Sequence, residues 1–300
     1  MEDNIGLKNI YINALKGLKG FDESAIEKAI SLAQNDVVET VEEFIDFINF
    51  NIEEKKFPQI IKPFEERIIK ETVDKVKHSA ESMSLYVSTK SDAYPLKLLN
   101  SNIEPLSPLS YKGNLKNVDR KTIMITGSSS ITKNAKMASK YFGRFFARSG
   151  YNILTSFDDG CEQNSILGCL EAFGSSTFFL HHDIDSLSEK EKNVIENELS
   201  TGHAALLSIF NSSYANINRI EETYSYIAAI TDCLIVPQLS YSDEVMDLVM
   251  KCLKANKPVF FIKYKNGKGE EYNCSNLIRR IKYLSSDTTF HVKAAIGEAD

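Results

Sequence analysis

Apolar residues recur at helical spacing through the first 84 positions, then give way to short apolar runs separated by amphipathic stretches. Ile10, Ala14, Leu15 and Leu18 share one helix face, and Ile26, Ala29, Ile30 and Ala33 share a second, with Asp22 placed as its N-cap. Val37, Val41, Phe44, Ile45 and Ile48 mark a third helix; Phe64, Ile68, Ile69, Thr72, Val73 and Val76 mark a fourth. From 88 to 117 the chain is rich in Pro, Ser and Asn, which predicts an irregular connector.

Beyond it, strand-like runs at Thr122–Thr126, Asn152–Thr155, Thr177–Leu180, Ala204–Ile209, Cys233–Val236 and Pro258–Ile262 alternate with helical patterns. Those helices are expected at Asn134–Ser149, Glu162–Phe173, Ser188–Leu199, Ile217–Ile230 and Asp243–Ala255, with a last one near Ser275–Leu284. Helices recurring between buried strands imply a doubly wound, mainly parallel sheet, an α/β Rossmann-like fold. The expected organisation is a helical N-terminal domain over 1–87, a connector over 88–120 and the Rossmann-like domain over 121–300.

Composition narrows the function classes. No apolar run approaches the roughly 18 residues that span a bilayer and the N-terminus lacks a signal-peptide layout, so a cytoplasmic location is expected. Cys161, Cys169, Cys233, Cys252 and Cys274 are odd in number and never spaced as CxxC, which reads as small core residues rather than a disulfide or zinc framework. His181, His182 and Asp183 adjoin one another at a strand end, where neighbouring residues point to opposite faces, so no metal is expected. The net charge is −6, yet Tyr111–Gly150 is locally basic, with Lys112, Lys116, Arg120, Lys121, Lys133, Lys136, Lys140, Arg144 and Arg148 against Asp119 alone. A nucleic-acid site needs only such a patch. Tyr141, Phe142, Phe145 and Phe146 fall at helical spacing and read as core and subunit-contact residues.

In open α/β sheets ligands bind where strands end and helices begin. The first such junction holds Gly127, Ser128, Ser129 and Ser130, followed by Lys133 and Lys136: a turn glycine, hydroxyl and amide donors and nearby cations, all suited to a phosphate. The glycine pattern is neither a dinucleotide fingerprint nor a Walker loop. Asp158, Asp159 and Glu162 read as solvated carboxylates at a helix start, with no nucleophile beside them. Leu15 to Gly20 loosely resembles a helix-hairpin-helix turn, which suits either that module or a SAM-like one.

Several elements together resemble one family. Tyr94 and Pro95 followed by Leu98, then Pro108 to Leu115 with Tyr111, Lys112, Gly113 and Asn114, are similar to the segment that leads into the Rossmann domain of the DNA-processing protein A family, DprA or Smf. Ile123 to Ser128 takes the place of the family's strand ending in Gly-Ser-Arg, Gly150 to Ser156 that of its next strand, and Asn218 and Arg219 that of its Arg-Asn-Arg element. The resemblance implies single-stranded DNA as ligand, a homodimer, delivery of DNA to a RecA-type recombinase during uptake or recombination, no cofactor and no catalytic turnover. Its implied binding positions are Lys112, Gly127, Ser128, Asn218 and Arg219. The chain departs from the family at Ser129, where the arginine stands, and at Asp158 and Asp159 in the next loop, where carboxylates repel phosphate. Two readings stay open: DNA held with help from Lys133 and Lys136, and Tyr111 or Phe157 as a stacking surface, or a non-enzymatic sensor of a small nucleotide or protein partner. A phosphoribohydrolase would need glycines after Val236, where Pro237, Gln238 and Leu239 stand.

Overall fold

The computed structural model describes residues 9–33, 38–79, 84–87, 89, 91–104, 106–209, 220–239, 244–262, 264, 282–284 and 290–296. The expected helices form as α1 (Asn9–Gly17), α2 (Glu23–Leu32), α3 (Val41–Glu53) and α4 (Glu66–Ser79). Asp22 caps α2, its carboxylate accepting from the Ala25 amide at 2.9 Å. Thr40 and Glu43 form a reciprocal capping box at α3. Leu15, Ile26, Ile30, Phe44, Ile48, Ile69 and Val73 close one apolar core between these helices.

Strand β1 (Leu85–Val87) joins this core to the next by simple alternation: Tyr86 packs among the helices and Val87 against the sheet. The Tyr86 hydroxyl reaches back to Glu27 at 2.5 Å. The sheet then runs through β2 (Leu109–Gly113), β3 (Thr122–Ile125), β4 (Asn152–Thr155), β5 (Ser176–Leu180), β6 (Ala204–Ile209), β7 (Cys233–Val236), β8 (Val259–Ile262) and β9 (Lys282–Leu284). The spatial order is β1-β2-β6-β5-β4-β3-β7-β8-β9; β2 runs antiparallel to both of its neighbours, β1 and β6, and every other pair is parallel. The connections step outward from β3 to β6, then return to β7 on its other side, so the order reverses between β3 and β7.

Both faces are covered, as continuous apolar strands require. Ile123, Ile125, Ile153, Phe178 and Ile235 face α6 (Lys133–Arg148), α7 (Cys161–Leu170) and α8 (Glu189–Ser200). Met124, Leu154, Phe179 and Leu234 face α9 (Ile220–Ile230) and α10 (Val245–Lys254). Helices α6 and α7 touch backbone to backbone: a Cβ on Gly143 would lie 2.1 Å from the Ser165 carbonyl oxygen, and one on Gly168 2.1 Å from that of Lys140.

Two stretches differ from the sequence expectation. The expected connector carries α5 (Leu96–Leu99) and β2, whose half-polar Leu109–Gly113 sequence lacks the apolar run of a central strand because it lies next to the sheet edge. At the C-terminus, residues 282–284 form β9 rather than the end of a helix, because the edge of β8 offers unpaired backbone groups that a parallel strand satisfies. The remainder of that expected helix lies outside the described residues. Cys161, Cys169, Cys233 and Cys252 are buried, as expected of small core residues, and Cys274 is not among the described residues. Among the described residues no helix is long and apolar enough to cross a membrane.

Candidate nucleic-acid interface

The reversal point brings three loops together. Past β3, the Thr126 amide donates to Ile235 at 3.1 Å and the Ser128 amide to Gln238 at 2.9 Å, which ties this loop to the end of β7. Gln238 finishes the tie with its side chain: Oε1 accepts from both the amide and the hydroxyl of Thr132 at 2.9 Å, and Nε2 donates to the Ser130 carbonyl at 3.3 Å. Gly127 is required here by contact, since a Cβ would sit 2.0 Å from the Gln238 carbonyl oxygen. The third loop, after β4, presses in through Gly160, and the Cys161 amide donates to Ser128 at 3.3 Å.

This geometry sorts the expected phosphate contacts. Gly127 and Ser128 are buried, and the Ser128 amide is spent inside the protein. Ser129, Ser130, Lys133 and Lys136 are exposed and stand together where the loop enters α6. Lys112 is not with them: β2 lies four strand steps from β3, about 19 Å at ordinary strand spacing. Tyr111 packs beside the sheet core and Phe157 stacks edge-on against Phe178 at 5.2 Å, so neither is a free stacking surface. Asn218 and Arg219 lie outside the described residues, just before α9.

Behind the loops is an acidic knot. Glu162, expected to be solvated, is 1% exposed. Its carboxyl accepts from the hydroxyls of Thr126 at 2.5 Å, Thr155 at 2.9 Å and Ser156 at 2.8 Å, and from the Ser156 amide at 2.6 Å. This burial has a local cause: the strand ends supply three hydroxyls and an amide around the first turn of α7, enough to hold a carboxyl out of water. Burial first, and then the charge of Asp158, push the Glu162 carboxyl above its ordinary value. Asp158 goes the other way: burial alone would raise it, but His181, 3.5 Å away, together with Ser156 and His182 holds it below its ordinary value. Asp159 is exposed, as expected. The His181 ring, 9% exposed, stands edge-on to Tyr224 at 5.2 Å. Burial and the carboxylates of Glu162 and Asp158 raise the Tyr224 phenol. Sequence reading missed Gln238, His181 and Tyr224 as parts of this site; the run of hydroxyls at Thr126, Thr155 and Ser156 was the available signal for a buried acid.

The lead-in motif forms a joint between α5, β2 and the parallel sheet. The Tyr94 hydroxyl donates to the Ser107 carbonyl at 2.7 Å while the Ser107 amide donates to the Tyr226 hydroxyl at 2.6 Å. Lys97 bridges Asp232 at 2.5 Å and the carbonyls of Arg120 and Ile230, tying α5 to the start of the parallel sheet. Gly113 (φ +83°) leaves no room for a Cβ, which would meet the Ala204 carbonyl at 2.4 Å, and Asn114 caps the turn that follows. Tyr94→Phe is expected to lose about 1 kcal/mol in a denaturant titration and leave nucleic-acid affinity unchanged; an affinity loss without a stability loss would contradict this assignment.

The family model for DNA recombination-mediator protein A matches residues 85–292. Two solved structures share the fold: DNA processing protein A from Streptococcus pneumoniae, 16% identical with a TM-score of 0.60 over 96% of this chain and 98% of that one, and its counterpart from Helicobacter pylori. The latter is 17% identical with a TM-score of 0.55 over 70% of this chain and 93% of that one, and was described for its mode of binding single-stranded DNA. No curated protein sequence matches. With well over half of its length matched, from β1 to α11 (Phe290–Ala295), the chain belongs to the DNA recombination-mediator protein A family.

Proposed function

We propose that this protein binds single-stranded DNA and serves DNA processing, uptake or recombination by holding the strand rather than by turning it over. The family match over 85–292 carries the reading, and the single-stranded DNA binding described for the Helicobacter pylori relative supports it. In this proposal residues 1–87 act as a helical domain attached to a Rossmann-like one, a second copy of the chain completes a homodimer, a RecA-type recombinase receives the DNA, and the site of action is the cytoplasm. Phosphates meet Ser129, Ser130, Lys133 and Lys136, with Asn218 and Arg219 as further contacts. Gly127 and Ser128 shape the loop, and Lys112 contributes at a separate place on the sheet.

Lysine contacts to phosphate are electrostatic, so affinity tracks salt. For about four neutralised phosphates on a single strand the slope of log K against log salt is about −2.8, a loss of about fiftyfold between about 50 and 200 mM. Fluorescence anisotropy of a labelled oligothymidylate at several salt concentrations measures this. Absence of binding at the lowest salt overturns the function. A thermal rise with free nucleotides in its place would identify a sensor instead.

A further inference from the structure

We infer that the single strand runs along the outer face of α6, with its bases on Tyr141 and Met137, and stays clear of the acidic loop after β4. This rests on the DNA-binding reading above and adds the path and the stacking residues.

At about 100° per residue, Lys133, Lys136, Lys140, Arg144 and Arg148 fall within about 120° of the α6 circumference, a stripe about 22 Å long. Met137 falls within it, between Arg144 and Arg148 in projection, and Tyr141 and Phe145 adjoin it on that flank. The aromatic run, expected to serve core packing and subunit contact, is divided by the fold: Phe142 and Phe146 are 2% and 0% exposed, whereas Tyr141 is 44% and the neighbouring Met137 61% exposed. Tyr141 is braced against Phe145 in a stacked pair at 6.1 Å, which leaves a rigid aromatic ring at the edge of a cationic stripe. Every base has a π-face for such a ring, and the stripe tracks the backbone beside it.

The charge placement is itself unfavourable for an unliganded helix. The first turn of α6 carries no acid, and Lys133 and Lys136 stand there at the positive end of the helix dipole. A bound polyanion reverses that penalty. Lys140 and Arg144 are paired with Glu171 at 2.5 and 2.7 Å. Lys133, Lys136 and Arg148 are exposed and have no carboxylate partner among the described residues. The loop after β4 offers the opposite field: Asp158 and Asp159 are exposed there, and the Ser128 amide beside it is already engaged. A phosphate is therefore repelled from that loop and drawn to the helix.

The test uses the whole chain and a labelled oligothymidylate at low salt. Lys133→Gln with Lys136→Gln is expected to weaken binding at least tenfold and to flatten the salt slope by about 1.4. Tyr141→Ala is expected to weaken binding about tenfold with its salt slope unchanged, while Tyr141→Phe binds as wild type. All these side chains are exposed, and melting curves of each variant confirm that folding is retained. If wild type binds and the α6 variants bind equally well, this path is wrong and DNA binding stands. If wild type does not bind, both fall. If Tyr141→Ala instead lowers the sedimentation mass of the free protein and leaves affinity unchanged, the face joins two copies of the chain and the inference is overturned.

Discussion

Glu162→Ala is expected to destabilise the protein by about 3 kcal/mol or more, the largest loss among substitutions of polar residues around the β3 and β4 loops. Four donors converge on that carboxyl: the hydroxyls of Thr126, Thr155 and Ser156 and the Ser156 amide. Each buried donor left without an acceptor costs about 1 to 3 kcal/mol, and the truncation adds a cavity. Glu162→Gln separates shape from charge. The Glu162 pKa is raised in the folded state, so the native protein keeps a proton that the unfolded chain gives up as pH rises above about 4.5. Over that window the wild type loses stability with rising pH, and the loss ends once the folded group ionises. The glutamine variant lacks this dependence. It is therefore expected to match wild type within about 1 kcal/mol at acidic pH and to gain on it as pH rises. Denaturant titrations of wild type and both variants across pH 4 to 8 measure this. A pH-independent difference between wild type and Glu162→Gln would mean that the carboxyl is charged throughout, and its burial would need another explanation.

Much of the fold is legible in the sequence because the parallel strands are buried on both faces. Asn152–Thr155, Ala204–Ile209 and Cys233–Val236 form with the boundaries their apolar runs imply. The helices are equally readable where a cap and a 3.6-residue period agree, as at Asp22. Legibility fails where pairing is decided by distant partners. β2 is half polar, and it becomes a strand only because β6, nearly a hundred residues later, accepts it edge to edge. β9 follows the same logic against β8. The candidate site divides likewise. Ser129, Ser130, Lys133 and Lys136 were identifiable from a strand, a turn glycine and a helix start, all local features. The purpose of Gly127 was not, because the group it makes room for is the Gln238 carbonyl on another loop. Nor was the burial of Glu162, since its donors come from two strand ends that meet only in the folded sheet.

The same long-range crowding makes Gly160→Ala the most damaging glycine substitution expected. Gly160 has φ +78° and ψ −115°, a region that only glycine occupies freely. A Cβ there would also lie 2.3 Å from the Ser128 carbonyl oxygen and 2.4 Å from that of Ser129. Both obstacles are backbone atoms, and neither moves unless the loop after β3 shifts away from α7. Strain and overpacking each cost about 1 to 3 kcal/mol, so together they lower the melting temperature by about 3 to 10 °C. Gly150→Ala is the control, because Gly150 has φ +87° but nothing within 4 Å of its Cβ position. It carries the strain without the collision and is expected to lose only about 1 kcal/mol. Because the displaced loop holds Ser129 and Ser130 and leads into Lys133, Gly160→Ala is also expected to weaken oligothymidylate binding, while Gly150→Ala leaves it unchanged. Equal thermal losses in the two variants would show that backbone conformation alone sets the cost, and that the β3 and β4 loops are not locked together as their contacts indicate.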